Sequence, residues 1–134
     1  MILVDSSVWI SYLRDDGTPV VDTLDALLSA GAEVATTEPI LMELLAGARK
    51  AQELTRVEAL ANGLPTVPVE PVTDFRNAAA LYRASAMNGH PIRSMTDCLI
   101  AAIALRRDVP LLQRDRDFTY LAEISPLRLH PLEE

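Results

Sequence analysis

Five carboxylates stand out because each one follows or interrupts an apolar stretch of the sequence. Asp5 comes directly after the run I-L-V, and Asp115 and Asp117 follow the run V-P-L-L closely. Glu43 and Asp97 are each the single charged residue of an otherwise apolar segment. Brought together, such acids repel one another and raise one another's pKa values unless a cation lies among them. Oxygen ligands select Mg²⁺ or Mn²⁺, and such an ion beside a phosphate supports in-line hydrolysis. The residues alone therefore predict metal-dependent phosphate chemistry.

Each of these acids also has an ordinary structural explanation. Asp5 is equally typical of a turn, with Ser7 as the N-cap of the following helix. Glu43 fits a thin exposed stripe of its helix, because burying it without a partner is costly. Asp97 fits the first turn of a helix, where it complements the dipole, and one acid of the later pair fits the cap of the last helix. The shared site is favoured because four such coincidences are less plausible than one.

The apolar pattern alternates between short strands and amphipathic helices, which is typical of an α/β fold with a parallel sheet and right-handed crossovers. The acids that follow the first and last buried strands then lie at the edge where ligands collect in open α/β sheets. The predicted strands are Ile2–Val4, Val34–Thr36, Thr66–Val69, Val109–Leu112 and a terminal Leu127–Leu129. The predicted helices are Val8–Leu13, Val20–Ala30, Glu38–Ala46, Lys50–Ala61, Thr73–Met87, Ser94–Leu105 and Phe118–Glu123.

The longest predicted helix is expected to be capped by Thr73 and to direct one apolar face to the core. The residues expected on that face are Phe75, Ala78, Ala79, Leu81 and Tyr82. Leu132–Glu134 is expected to be a frayed end.

Composition and length predict a single domain over residues 1–134, because a chain of this size buries a core without disulfides. The single Cys98 excludes an internal disulfide and a cysteine-based zinc cluster. No apolar run is long enough to span a bilayer and the N-terminus does not resemble a signal peptide, so we expect a cytoplasmic protein without a membrane partner. The net charge of −7 argues against binding nucleic acid through the overall field. All basic residues except Lys50 are arginine, which suits forked phosphate contacts and ion pairs alike.

Four segments together resemble the PIN-domain nucleases, and more narrowly the VapC toxins of bacterial toxin–antitoxin pairs. They are V-D-S-S at the N-terminus, E-P-I-L-M-E-L-L-A-G, T-D-C-L-I-A-A-I-A and L-L-Q-R-D-R-D-F. The match covers nearly the whole chain in order and spacing. It implies a three-layer sandwich with a short, mostly parallel sheet of four to five strands flanked by helices.

The resemblance implies an endoribonuclease that depends on Mg²⁺ or Mn²⁺, leaves a 5′-phosphate and a 3′-hydroxyl, and inhibits translation and growth. It implies a homodimer that is neutralised by a VapB-type antitoxin. The RNA target stays open among tRNA, rRNA and mRNA, of which tRNA or rRNA is expected first. The implied catalytic residues are Asp5, Glu43, Asp97, Asp115 and Asp117, and the implied metal ligands among them are Asp5, Asp97 and Asp115. The implied contacts to substrate or antitoxin are Ser6, Ser7, Gln113, Arg114 and Arg116. Gln113 departs from the family pattern, since many relatives have Ser or Thr at this position, two residues before the acid that corresponds to Asp115.

Three other interpretations are open to test. A metal-free ribonuclease would need two histidines and a lysine, and His90, His130 and Lys50 supply the minimum set. A phosphoacceptor receiver domain would need an acid pair after the first strand and a lysine after the fifth, and neither stands there. A PIN-like module that binds RNA or protein without cleaving it would keep the fold and lose the activity. Activity that survives EDTA would favour the metal-free enzyme.

Overall fold

The computed structural model describes residues 1–132, which form four short strands and seven helices. The strands are β1 (Ile2–Val4), β2 (Val34–Thr37), β3 (Thr66–Val67) and β4 (Leu111–Leu112). The helices are α1 (Ser6–Arg14), α2 (Pro19–Ser29), α3 (Glu38–Gly47), α4 (Ala51–Gly63), α5 (Pro71–Met87), α6 (Met95–Arg107) and α7 (Arg116–Glu123).

The four strands form one parallel sheet in the order β3-β2-β1-β4, which confirms the predicted α/β class. In its register Leu3 of β1 lies between Ala35 of β2 and Leu111 of β4. The predicted terminal strand is reduced to a single parallel bridge between Leu129 and Leu111. Strand order reverses at β1, because β2 and β3 extend to one side and β4 pairs on the other. A cleft therefore opens between the carboxyl ends of β1 and β4.

The core surrounds β1 and α6, and α6 has more buried residues than any other helix within residues 1–132. Leu3 and Val4 are fully buried, as expected for a central strand with helices on both faces. Helix α6 is buried over 100–104, which agrees with its apolar residues on every side. This central helix positions two charged residues, Asp97 in its first turn and Arg106 near its end.

The predicted inward face of α5 is wrong in part. Phe75 is 55% exposed and Tyr82 is 38% exposed, whereas Ala78 is buried as predicted. The buried stripe also includes Asp74 and Ser85, which were not among the residues predicted to face the core. The helix also begins earlier than predicted, at Pro71 with Glu70 as N-cap rather than Thr73. A proline is favourable at this position because its missing N–H has no helical acceptor to lose.

The reason for the altered face is an ion pair between α5 and α6. Asp74 is fully buried, and both of its carboxylate oxygens accept from the Arg106 guanidinium, at 2.8 and 2.9 Å. The Glu70 N–H donates to the same carboxylate at 2.8 Å, and Arg106 also donates to the carbonyl of Pro68. The charge of Asp74 is thus compensated inside the protein, which is what permits its burial.

Strands β3 and β4 are shorter than the predicted segments. Each segment contains a proline, Pro68 or Pro110, which cannot donate to a ladder. No helix within residues 1–132 is long and apolar enough to cross a membrane. Of the expected frayed end, residues 133 and 134 lie outside the described part of the chain.

Candidate active site

Asp5 lies where β1 ends and α1 begins, at the cleft between β1 and β4. It is the N-cap of α1, with its Oδ2 accepting from the Ser7 N–H at 3.0 Å and from the Ser7 hydroxyl at 2.6 Å. The alternative that Ser7 caps this helix is therefore wrong. The side chain is only 3% exposed, and its Oδ1 is buried without a hydrogen-bond partner among the described residues. Burial raises the pKa of Asp5, since an ionised carboxylate loses its water there.

A second bond ties the ends of β1 and β4 together. The Arg114 N–H donates to the Ser7 hydroxyl oxygen at 3.3 Å, and that hydroxyl in turn donates to Asp5. The Ser7 hydroxyl therefore has a defined acceptor, and it fixes the rotamer of Asp5 from one side. This leaves Oδ1 as the oxygen free to take another partner.

Glu43 lies in the middle of α3 and is half-buried rather than on an exposed stripe. The Ser6 hydroxyl donates to its Oε1 at 3.0 Å, which holds the side chain against the start of α1. Burial raises the pKa of Glu43, and the nearby charges of Asp5 and Asp115 raise it further. The serine pair after Asp5 therefore holds two different carboxylates, one through each hydroxyl.

Asp97 lies in the first turn of α6, where the N-cap Ser94 accepts its N–H at 3.3 Å. Its side chain is 7% exposed, so most of it is withdrawn from water. Burial and the charges of the other four acids of the cluster raise the pKa of Asp97 to about 7. Within residues 1–132 its carboxylate has neither a hydrogen-bond donor nor a cation as a partner.

Asp115 and Asp117 lie at the end of β4 and the start of α7. Asp115 is the N-cap, and its Oδ1 accepts from the Asp117 N–H at 2.9 Å, so one acid of the pair caps the last helix as predicted. The Gln113 side chain accepts from the Asp115 N–H at 2.6 Å, which closes the turn before the helix. The Arg93 N–H donates to Asp117 Oδ2 at 3.5 Å. The loop before α6 thus contacts the acid of α7.

The five acids form two overlapping groups that share Asp97. In one group Asp5, Glu43 and Asp97 each offer an oxygen, and in the other Asp97, Asp115 and Asp117 do so. Within each group these oxygens all lie within 4.8 Å of one another. The all-oxygen donor set and the unpartnered Oδ1 of Asp5 fit a hard divalent cation. Without one, the negative charges face each other in a partly dehydrated cleft.

Comparisons with known proteins agree with this geometry. The family model described as PIN domain matches residues 2–124. The chain is similar to Ribonuclease VapC11 of Mycobacterium tuberculosis, with 43% identity over 96% of each chain. The chain belongs to the PIN-domain family. Ribonuclease VapC19 of the same organism is a more distant relative of this PIN domain, with 32% identity over 94% of this chain and 98% of its own.

The resemblance inferred from the four segments is thereby confirmed, and so is the fold class. A solved structure of VapBC2 from Rickettsia felis, bound to a DNA fragment from its promoter, aligns with this PIN domain at a TM-score of 0.76. The alignment covers 97% of this chain and 98% of that one at 18% identity, so it supports the fold alone.

Most residues predicted to contact substrate or antitoxin already have partners inside the PIN domain. Ser6, Ser7 and Gln113 hold Glu43, Asp5 and the Asp115 backbone. The Arg114 guanidinium donates to Ser11 and pairs with Asp16 at 3.1 Å. Arg116 is exposed, and its guanidinium has neither a hydrogen bond nor an ion pair with any residue in 1–132. Their predicted contacts to external molecules stay predictions.

The residues of the metal-free alternative lie in three different parts of the fold. Lys50 is the N-cap of α4, and His90 lies in the loop between α5 and α6. His130 follows the Leu129 bridge, and its N–H donates to the carbonyl of Leu111. The structure does not assemble these three residues around the five acids.

The cleft continues beyond the acids along a surface that the sequence did not single out. There Arg93 and Tyr120 join His90, which the sequence offered only as a metal-free catalyst. The sequence contained one sign of this surface. Tyr120 stands four residues after Arg116, so the two side chains share one face of α7. The neighbouring position of His90 and Arg93 follows from tertiary structure, and no local pattern predicts it.

Proposed function

We propose that this PIN-domain chain is a divalent-metal-dependent endoribonuclease of the VapC type and the toxin of a type II toxin–antitoxin pair. Its similarity to Ribonuclease VapC11 over almost the full length of both chains supports the substrate class. The observation that carries the metal dependence is the buried Oδ1 of Asp5, which faces no hydrogen-bond donor in residues 1–132. A buried carboxylate oxygen without a donor is costly, and a cation removes that cost.

Asp5, Asp97 and Asp115 are the proposed ligands. Asp97 belongs to both oxygen groups, Asp5 to one and Asp115 to the other, and Glu43 and Asp117 complete the site directly or through water. These five are also the proposed catalytic residues. When bound, Mg²⁺ or Mn²⁺ would supply activation of the attacking water and compensation of the charge on the leaving oxygen. The protein's part is to hold the carboxylates in place, through Ser7 on Asp5 and Ser6 on Glu43.

The protonation of Asp97 depends on the occupant of the site. With a pKa of about 7 it is ionised in only about half of the molecules at neutral pH without a cation. A nearby positive charge favours the ionised form, so the proton leaves as the site fills. Metal affinity and cleavage should both rise with pH between about 6 and 8 for this reason.

The proposal includes a VapB-type antitoxin as partner, a homodimeric assembly, and tRNA or rRNA as the RNA that is cut. The solved structure of VapBC-5 from Mycobacterium tuberculosis, described as a member of the VapBC family of toxin-antitoxin systems, aligns with 95% of this chain at 27% identity and a TM-score of 0.65. This likeness supports the pairing with an antitoxin. Bound over the cleft, the antitoxin would shield the five acids from RNA.

Cleavage of total cellular RNA by the purified, antitoxin-free protein tests the proposal. The reaction is run with Mg²⁺, with Mn²⁺ and with EDTA, and the product ends are mapped. Asp97→Asn is compared with Asp22→Asn, which removes a charge from the exposed face of α2. Discrete cuts that need both metal and Asp97 are expected. Cuts that persist in EDTA would support a metal-free enzyme, and no cuts under any condition would support a binding module.

A further inference from the structure

The cleft that contains Asp97, Asp115 and Asp117 extends along the loop between α5 and α6 and the exposed face of α7. Beyond the acids it is lined by His90, Arg93, Arg116 and Tyr120. This section is continuous with the acids, so a chain bound along it can reach them. Its residue types differ from those of the acidic end, because they combine aromatic rings with cationic side chains.

The aromatic part is a stack of two rings. The imidazole of His90 and the phenol of Tyr120 lie nearly parallel, with ring centroids 4.2 Å apart and an angle of 11° between their planes. Tyr120 is half-buried and packs against the core, whereas His90 is exposed. One ring is therefore fixed by the core and supports the other at the surface. An exposed ring supported from behind is the arrangement on which nucleic-acid bases stack.

The cationic part is formed by two arginines whose guanidinium groups have no partner within residues 1–132. Neither Arg93 nor Arg116 donates a side-chain hydrogen bond or forms an ion pair with any residue in the described range 1–132. By contrast, Arg106, Arg114 and Arg128 are paired with aspartates. An unpaired guanidinium beside a cleft suits forked contacts to phosphate.

The positions of these side chains are linked to the five acids. The Arg93 N–H contacts Asp117, which ties the loop of His90 and Arg93 to the start of α7. Arg116 and Tyr120 are four residues apart on α7 and share one face of that helix. The two arginines balance two of the three carboxylates that line this cleft. A divalent cation among the acids would make the cleft attractive to a polyanion despite the negative net charge of the chain.

We propose that this section is a nucleotide-binding subsite for single-stranded RNA, in which a base stacks on the His90–Tyr120 ring pair and the adjoining phosphates contact Arg93 and Arg116. The subsite rests on the proposed ribonuclease function and names the residues that position its substrate next to the acids. Single-stranded RNA suits the cleft because its bases are free to leave the stack of a helix and its phosphates supply the charge. His90, Arg93 and Arg116 are positioning residues in this account.

Binding of fluorescently labelled RNA octamers with a single 2-aminopurine tests the subsite directly. Anisotropy measures affinity in Ca²⁺, with a gel to show that the RNA stays intact, and 2-aminopurine emission reports stacking. His90→Ala is expected to weaken binding about tenfold and to abolish the quenching of 2-aminopurine. His90→Phe should restore both, whereas His90→Gln should not. His130→Ala is the matched control, because it removes the other histidine of the chain.

The arginines are tested through salt dependence. Arg93→Ala and Arg116→Ala should each weaken binding about fivefold and lower the slope of log affinity against log salt by about one. Arg83→Ala, on the exposed face of α5, should change neither value.

The outcomes separate the subsite from the proposed function. Wild-type protein that binds RNA through His90 but cuts nothing in Mg²⁺ would keep the subsite and overturn the ribonuclease. Metal-dependent cleavage with unchanged binding and quenching in His90→Ala would overturn the subsite alone. The subsite is also overturned if the variants bind RNA like the wild type and lose affinity only for the antitoxin.

Discussion

Two buried aspartates lie at opposite ends of helix α6 and have different surroundings. Asp97, in its first turn, is 7% exposed, and Asp74, packed against its last turn, is fully buried. Asp74 is held by a guanidinium and a backbone N–H, whereas Asp97 faces four other acids. The ion pair of Asp74 joins α5 to α6. The carboxylate of Asp97 has no stabilising partner in residues 1–132, and its burial fits the proposed cation site.

The comparison shows that burial of an acid does not by itself indicate a functional site. What separates the two regions is whether the protein supplies the opposite charge. Buried charges are retained at a cost unless they are paired, and an uncompensated set at a cleft indicates an external cation. The same substitution at the two positions should therefore have opposite consequences.

The largest expected effect is the loss of RNA cleavage in the Asp97→Asn variant. We expect a loss of about 1,000-fold or more, because a ligand and its charge are removed from the site. The free energy of unfolding without metal should stay the same or rise, since repulsion among the acids is relieved. Single-turnover cleavage and urea denaturation measure the two quantities. Retained cleavage, or loss of the fold, would contradict the assignment.

Asp74→Asn should show the reverse behaviour. We expect the free energy of unfolding to fall by about 2–3 kcal/mol, because Arg106 keeps its charge and loses its partner. The cleavage rate per folded molecule should stay within about twofold of wild type. Asp108→Asn is the control, since its pair with Arg128 is solvent-exposed and should contribute less than about 1 kcal/mol. A large loss of cleavage in folded Asp74→Asn would remove the contrast between the two regions.

Stabilisation of the protein by metal should depend on Asp97 and should not depend on the ion pair of Asp74. At a concentration 100 times its dissociation constant, Mg²⁺ or Mn²⁺ should add about 2.7 kcal/mol to the free energy of unfolding. Asp74→Asn should keep this increment and Asp97→Asn should lose most of it. Thermal unfolding across a metal titration measures both. An equal increment in the two variants would place the cation elsewhere.

The smallest expected effect is the pH dependence of the metal-free protein. The folded pKa of Asp97 is raised from 3.8 to about 7, and those of Asp5 and Glu43 are raised as well. Between about pH 4 and 7 the folded state therefore holds protons that the unfolded state releases, so stability falls as pH rises. In EDTA the protein should melt at a higher temperature at pH 5.5 than at pH 7.5. Asp97→Asn should reduce the change in melting temperature between these two pH values. An unchanged difference would show that the raised pKa of Asp97 does not cause it.

The sequence was most informative where a residue type conflicted with its surroundings. A lone carboxylate in an apolar helix, as at Glu43 and Asp97, is visible without a structure, and so is an acid that follows a buried strand. Because the carboxyl ends of parallel strands lie at the same edge of a sheet, the strand pattern alone predicts that acids following these strands are neighbours. These features predicted the sheet and the neighbourhood of the five acids.

The sequence was least informative where a distant partner decides the outcome. Asp74 was not among the residues predicted to face the core, and its partner Arg106 stands 32 residues away. The stack of His90 on Tyr120 likewise depends on a contact between a loop and a later helix. Gln113 shows the same limit at short range, since its bond to the Asp115 N–H depends on the geometry of one turn.

The position of the cation tests the central claim most directly. Crystals of the antitoxin-free protein soaked in Mn²⁺ provide an anomalous signal that marks the ion independently of any activity. We expect a peak at the carboxylates of Asp5 and Asp97, with Asp5 contributing Oδ1. A peak remote from Asp5 and Asp97, or full occupancy elsewhere with this cleft empty, would contradict it.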